Sequence, residues 1–186
     1  MVASVLSVTT GLVHATKECH PDLCVLQIDA HPDLMESFQG SKHSHACAMK
    51  RVLDMGVQVS AVGIRCIAKE EWRVAQEQDL RLVTARECHT SQDWMDRVLA
   101  SLRGPVYITM DIDAFDPAFA PGTGTPEPGG LNWYQVIELL RRVTSEKTVV
   151  GADIVEVMPI PGQVVTEFLA ARLAYKLICY MQDRDR

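Results

Sequence analysis

Val25-Leu26-Gln27-Ile28-Asp29-Ala30-His31-Pro32-Asp33 is the stretch on which the fold turns. A short apolar run reads as a buried strand. Here it stops at two carboxylates and an imidazole. About eighty residues on the pattern recurs, with Val106-Tyr107-Ile108-Thr109-Met110 running into Asp111-Ile112-Asp113. A third apolar run, Val149–Val155, ends at Glu156. In an open parallel sheet, ligands gather outside the carboxyl ends of the strands. Asp29, Asp111 and Glu156 are therefore expected to converge on one edge of such a sheet.

The rest of the chain supports that sheet. Strand-like runs (Val57–Ile64, Leu80–Thr84) alternate with helix-like ones. Helices are predicted over Ser7–Cys19, Ala46–Met55, Ala68–Gln78, Gln92–Leu102 and Val165–Met181. Gly56 stops the second, and Gly104-Pro105 stops the fourth. Asn132 and Gln135 form a plausible capping box for a helix running to about Val143. This β–α alternation predicts an α/β fold of three α-β-α layers around a mostly parallel sheet. No linker or repeat divides residues 1–186, so a single domain is expected.

Composition narrows the functional classes. Net charge is −6 and no run of Lys or Arg stands out, which argues against nucleic acid or an anionic membrane as partner. A small cationic substrate suits that balance. No apolar run reaches the roughly 20 residues that span a bilayer. Residues 1–6 have neither a basic leader nor a full apolar core, so no signal peptide is expected. The six cysteines are scattered with no Cys-x-x-Cys pair. Reduced thiols in a cytoplasmic protein are expected, with no zinc site built from them.

The acidic clusters need a counter-charge. Asp29, His31, Asp33, Asp111 and Asp113 crowd negative charge that cations must neutralise. Oxygen donors with one imidazole suit Mn²⁺ or Mg²⁺ better than thiolate-loving metals. Enough carboxylates for sharing suggest two ions that activate a water between them. If each cluster is extended, its alternate residues project to one side. His45 precedes a helix close by and could move a proton, since imidazoles titrate near neutrality. The Pro- and Gly-rich loop Asp116–Gly130 is a candidate substrate wall. Glu156 could pair with a planar guanidinium. A two-metal phosphoesterase is the other carboxylate-based reading, but no basic phosphate clamp is evident.

These motifs together resemble the ureohydrolase family of arginase and agmatinase. The resemblance rests on Asp29-Ala30-His31-Pro32-Asp33, Ser44-His45-Ala46, Asp111-Ile112-Asp113, the loop through Gly130 and Gly151-Ala152-Asp153-Ile154-Val155-Glu156-Val157-Met158-Pro159. Pro121–Gly130 is similar to the agmatinase branch. The resemblance implies a binuclear manganese site bridged by Asp29 and Asp111. Asp33 would complete one ion's shell, and His31 and Asp113 would bind the other. His45 would be the proton shuttle, and Thr125 and Glu156 would hold the guanidinium. The implied reaction is attack of metal-bridging hydroxide on the guanidinium carbon, giving urea and an amine (putrescine from agmatine). A homo-oligomer is also implied. Guanidinobutyrate or formiminoglutamate are the family's alternative substrates.

One family motif departs. A Gly-Gly-acidic-His-Ser run precedes the first cluster in the family, and its histidine is a metal ligand. Ser7-Val8-Thr9 aligns with the residues from that serine on, so Leu6 takes the histidine's place. One ion's site is therefore expected to be weak, and the chain to lack the family's first third. A fragmentary or non-catalytic relative is the alternative that this departure raises.

Overall fold

The computed structural model of the protein describes residues 6–183. Residues 1–5, read above for a leader, lie outside them. In chain order the regular elements are α1 Ser7–Cys19, β1 Cys24–Ile28, α2 Ala48–Asp54, β2 Gln58–Ile64, α3 Lys69–Glu77, β3 Arg81–Thr84, α4 Ala85–Thr90, α5 Trp94–Ser101, β4 Val106–Asp111, α6 Trp133–Glu146, β5 Val149–Val155 and α7 Val165–Gln182. The strands form one sheet in the order β3-β2-β1-β4-β5, and every pairing is parallel.

Alternation along the strands divides the core into two layers. Leu26, Ile28, Ile108 and Met110 face α5, α6 and α7 through Val98, Leu139, Leu140 and Leu173. Val25, Val59 and Tyr107 face the other way, onto Val13, Met49, Val52 and Ala75 of α1, α2 and α3. The expected three-layer α/β architecture is therefore the observed one.

A polar seam ties the second layer together. The Tyr107 hydroxyl donates to Asp153 Oδ2 at 2.8 Å and Thr109 Oγ1 donates to Oδ1 at 2.7 Å. With the Thr109 hydrogen committed, Thr9 donates to Thr109 at 3.2 Å, fastening α1 to the sheet. Gly151 makes room for this, because a Cβ there would stand 2.7 Å from the Tyr107 ring.

Two elements differ from expectation. The helix predicted from Ala46 is split, with a single 3₁₀ turn at His45–Cys47 before α2. Helix α4 was not anticipated, although Thr84 and Glu87 carry its capping box: Glu87 N donates to Thr84 Oγ1 at 3.2 Å, and Thr84 N to Glu87 Oε2 at 2.8 Å. The box at α6 is as predicted, with Gln135 N on Asn132 Oδ1 at 3.0 Å and Asn132 N on Gln135 Oε1 at 2.9 Å. Asn132→Ala is expected to cost about 1 kcal/mol, read as a lower urea midpoint at constant slope. An unchanged midpoint would mean that α6 is held by packing alone.

Candidate metal centre and substrate cavity

Sheet order and register bring the acids together. The chain winds from β1 outward to β3, then crosses back to β4 on the other side of β1. The crevice between β1 and β4 is thus the topological switch point of the sheet. Ile28 pairs with Met110, and Asp111 with Val155. Asp29, Asp111 and Glu156 therefore leave three neighbouring strand ends, spaced by roughly 4.8 Å per strand.

The two clusters are turns rather than the extended segments that alternation suggested. Asp29 Oδ1 accepts from His31 N at 2.7 Å, and Asp111 Oδ1 accepts from Asp113 N at 2.9 Å. An aspartate that caps the backbone two residues on curls it into a tight turn. Ile112–Ala114 is accordingly a 3₁₀ turn. The turns fold toward each other: Asp113 Oδ1 accepts from Ala30 N at 3.0 Å, and Asp113 Oδ2 lies 3.0 Å from His31 Nδ1. Asp33 and Glu156 sit at φ +52° and +61°. Such left-handed backbone in non-glycine residues costs of order 1–3 kcal/mol and gathers at functional sites.

A cavity of about 500 Å³ opens over these turns, lined by His31, Asp33, His45, Asp111, Asp113, Thr125 and Glu156, with Leu6 in its wall. Asp29 lies beneath it, fully buried. The residues singled out in the sequence are thus gathered at one place. Thr125 Oγ1 donates to Asp113 Oδ2 at 3.2 Å, and Glu156 Oε1 accepts from Leu6 N at 2.8 Å. His45 packs edge-on against Phe38, ring centroids 5.9 Å apart.

Electrostatics mark the site. Burial, and then repulsion from neighbouring carboxylates, holds Asp29, Asp33 and Asp111 well above the usual carboxylate range. Burial also raises Glu156. Asp113 goes the other way: burial raises it, but the His31 ring, the Ala30 amide and Asp111 together hold it lowered. Burial would lower His31, yet its bond to Asp113 leaves it raised. Burial and mutual repulsion of these carboxylates are what a cation would relieve. Donor atoms of Asp29, His31 and Asp113 lie within 4.8 Å of one another. Two carboxylates and an imidazole suit a hard or borderline divalent ion such as manganese. Asp33 and Asp111 offer further carboxylate oxygens, but Leu6 offers no donor beside them.

Three residues that sequence reasoning passed over support this arrangement. Gln27, buried within β1, donates from Nε2 to Asp29 Oδ2 and to His31 O, both at 2.9 Å. A lone amide inside an apolar run was the available signal. Glu71, buried on α3, accepts from Leu34 N at 3.0 Å and Ala68 N at 2.9 Å, holding the segment after Asp33 against α3. Arg65 spreads its guanidinium over carbonyls of the substrate loop and the second cluster, including Asp113 O at 2.6 Å and Glu127 O at 2.7 Å. Nothing local in the sequence distinguishes Arg65 from a surface cation.

The family model described as "Arginase family" matches residues 7–179. The chain belongs to the arginase family. An N(1)-aminopropylagmatine ureohydrolase of Synechocystis sp. is 42% identical over 182 residues, which cover 97% of this chain and 60% of the relative. An agmatinase of Pyrococcus horikoshii is 42% identical over 150 residues, 81% of this chain and 52% of the relative. Among solved structures, the proclavaminate amidino hydrolase of Streptomyces clavuligerus superposes with a TM-score of 0.90 at 31% identity, covering 98% of this chain and 64% of that one. This arginase-family chain thus spans about 60% of the length of the Synechocystis relative. No helix among the described residues is long and apolar enough to cross a membrane.

Proposed function

We propose that this arginase-family chain carries the active centre of a manganese-dependent amidinohydrolase. It would release urea from a guanidino compound with a cationic tail, agmatine or its aminopropyl derivative. The observation that carries this reading is the cavity wall. Asp33, Glu71, Asp111, Asp113 and Glu156 line it, and among the described residues no Lys or Arg does. Three of these acids would go to metal ions and Glu156 to the guanidinium, so the wall selects a cationic guanidino head. The cationic tail follows the names of the aminopropylagmatine and agmatine relatives.

Each residue has a role in this reading. Asp29 and Asp111 would be shared between two manganese ions, with Asp33 on one and His31 and Asp113 on the other. Bound as a pair, the ions would supply an activated water at neutral pH. Glu156, its Oε1 steadied by Leu6 N, would accept hydrogen bonds from the planar guanidinium and so fix its face toward the metals. Thr125 would add a further contact from the substrate loop. His45 would pass a proton to the leaving amine. Assembly into a homo-oligomer is part of the proposal.

Leu6 bears directly on the test. Metal-free chain is expected to bind one Mn²⁺ tightly, by equilibrium dialysis with elemental analysis. Leu6→His is expected to take up a second and to release urea from agmatine faster. A guanidinobutyrate arm of the same assay separates the two tail charges. If the metal-loaded Leu6→His chain makes no urea from any guanidino compound, the hydrolase reading falls and a non-catalytic relative replaces it.

A further inference from the structure

His31 faces a second set of donors that the reaction above does not use. Its imidazole, the Cys66 thiol and a Glu127 carboxylate oxygen all lie within 4.8 Å of one another. They sit at the edge of the cavity that His31 and Cys66 both line. Three separate segments deliver them: the turn after β1, the residues just past β2, and the loop 116–130. Each is fixed through its backbone. Ala30 O accepts from Arg65 N at 2.9 Å and from Cys66 N at 3.1 Å, which sets Cys66 beside the first cluster. Arg65 Nη2 donates to Glu127 O at 2.7 Å. Asp116 Oδ2 accepts from Gly129 N at 2.8 Å and Gly130 N at 3.1 Å, pinning that loop on itself. The donors thus stand on anchored backbone.

The donor chemistry differs from that of the carboxylate centre. Sulfur, imidazole nitrogen and one carboxylate oxygen form a mixed set that prefers zinc to manganese. Three protein ligands with a fourth position open is a common zinc arrangement. We propose that His31, Cys66 and Glu127 form a second site, overlapping the carboxylate centre at His31, for a thiophilic divalent ion of the zinc class. Binding releases the thiol proton to solvent. Occupancy also draws on the imidazole that the carboxylate centre needs, so zinc opposes manganese by competing for His31.

Cobalt(II) is the probe, because thiolate ligation gives it a charge-transfer band that oxygen and nitrogen ligands do not. Titration of the metal-free chain is expected to bring up that band. Zn²⁺ should remove it, and Mn²⁺ at the same concentration should weaken it much less, through the shared His31 alone. The band should vanish in Cys66→Ser and persist in Cys19→Ser, which changes another exposed thiol. Glu127→Gln should weaken cobalt binding about tenfold or more, the scale on which even outer-sphere partners act. Circular dichroism checks that each variant is folded. Zinc should also lower manganese occupancy in the unmodified chain and much less in Cys66→Ser. No band in the unmodified chain, a band surviving Cys66→Ser, or equal expulsion of manganese from both would each overturn the proposal. None of these readouts requires hydrolysis, so they stand apart from the fate of the amidinohydrolase reading.

Discussion

Manganese added to the metal-free chain is expected to raise its melting temperature, and to raise it more at about pH 8 than at about pH 5. The reason lies in the raised carboxylates. Asp29, Asp33 and Asp111 hold protons to higher pH in the folded chain than in the unfolded one, first because they are buried and then because they repel one another. Their contribution to stability is complete below the unfolded value of about 3.9. It is lost as pH rises through the folded values, where burial forces like charges to ionise side by side. Asp113 has the opposite sign. Its lowered pKa stabilises above the unfolded value, and that part is lost as pH falls through the folded one. Around this cavity the raised carboxylates, Glu156 among them, outnumber the lowered one, so the metal-free centre weakens with rising pH.

A bound cation removes that penalty where it is largest. At a hundredfold excess over its Kd, a ligand that binds only the folded state adds about 2.7 kcal/mol. For a chain of this size that is about 5–10 °C. Thermal melts with and without Mn²⁺ at the two pH values measure it directly. A shift of equal size at both, or none, would show that these carboxylates do not hold the ion.

Arg65→Ala is expected to cost about 3–5 kcal/mol and to disorder the substrate loop, the second large effect. The guanidinium donates to Asp113 O, Glu127 O and Phe115 O through Nη2, to Glu127 O and Pro128 O through Nε, and to Gly63 O and Ala114 O through Nη1. Charge-assisted bonds contribute about 1.5–3 kcal/mol each where well formed, and the two short ones dominate. Truncation leaves half-buried carbonyls without a donor. Lysine is not a substitute, because a point charge with three donors cannot span carbonyls that a planar fork reaches at once. Urea unfolding should show the loss for alanine and most of it for lysine. Proteolysis within 116–130 should become faster in both. A lysine variant as stable as the unmodified chain would mean that charge alone, and not the fork, holds the loop.

Much of the site was legible in the residues. Asp29, Asp111 and Glu156 each follow an apolar run, and strand polarity alone places such residues on one edge of a parallel sheet. The capping boxes at Asn132 and Thr84 are equally local signals, the second overlooked because α4 is only six residues long. What local pattern misjudged was shape. Asp29-Ala30-His31 and Asp111-Ile112-Asp113 look like alternating extended segments, yet each aspartate caps its own backbone and curls. The aspartate side chain's bond to the backbone two residues on decides that, and it competes with the extended form that alternation suggests.

By itself, the sequence determined the α/β class and the strand ends that carry the acids. Those follow from periodicity and residue identity, which are properties of short stretches. Only the tertiary structure decided the rest: that β1 and β4 are neighbours, that Asp113 bonds His31, that Arg65 clamps a loop about sixty residues away, and that Cys66 and Glu127 meet at His31. The cysteines gave no metal signal because ligand spacing in sequence betrays only sites built within one segment. A site assembled from three strand ends exists only once sheet order and register have put them side by side.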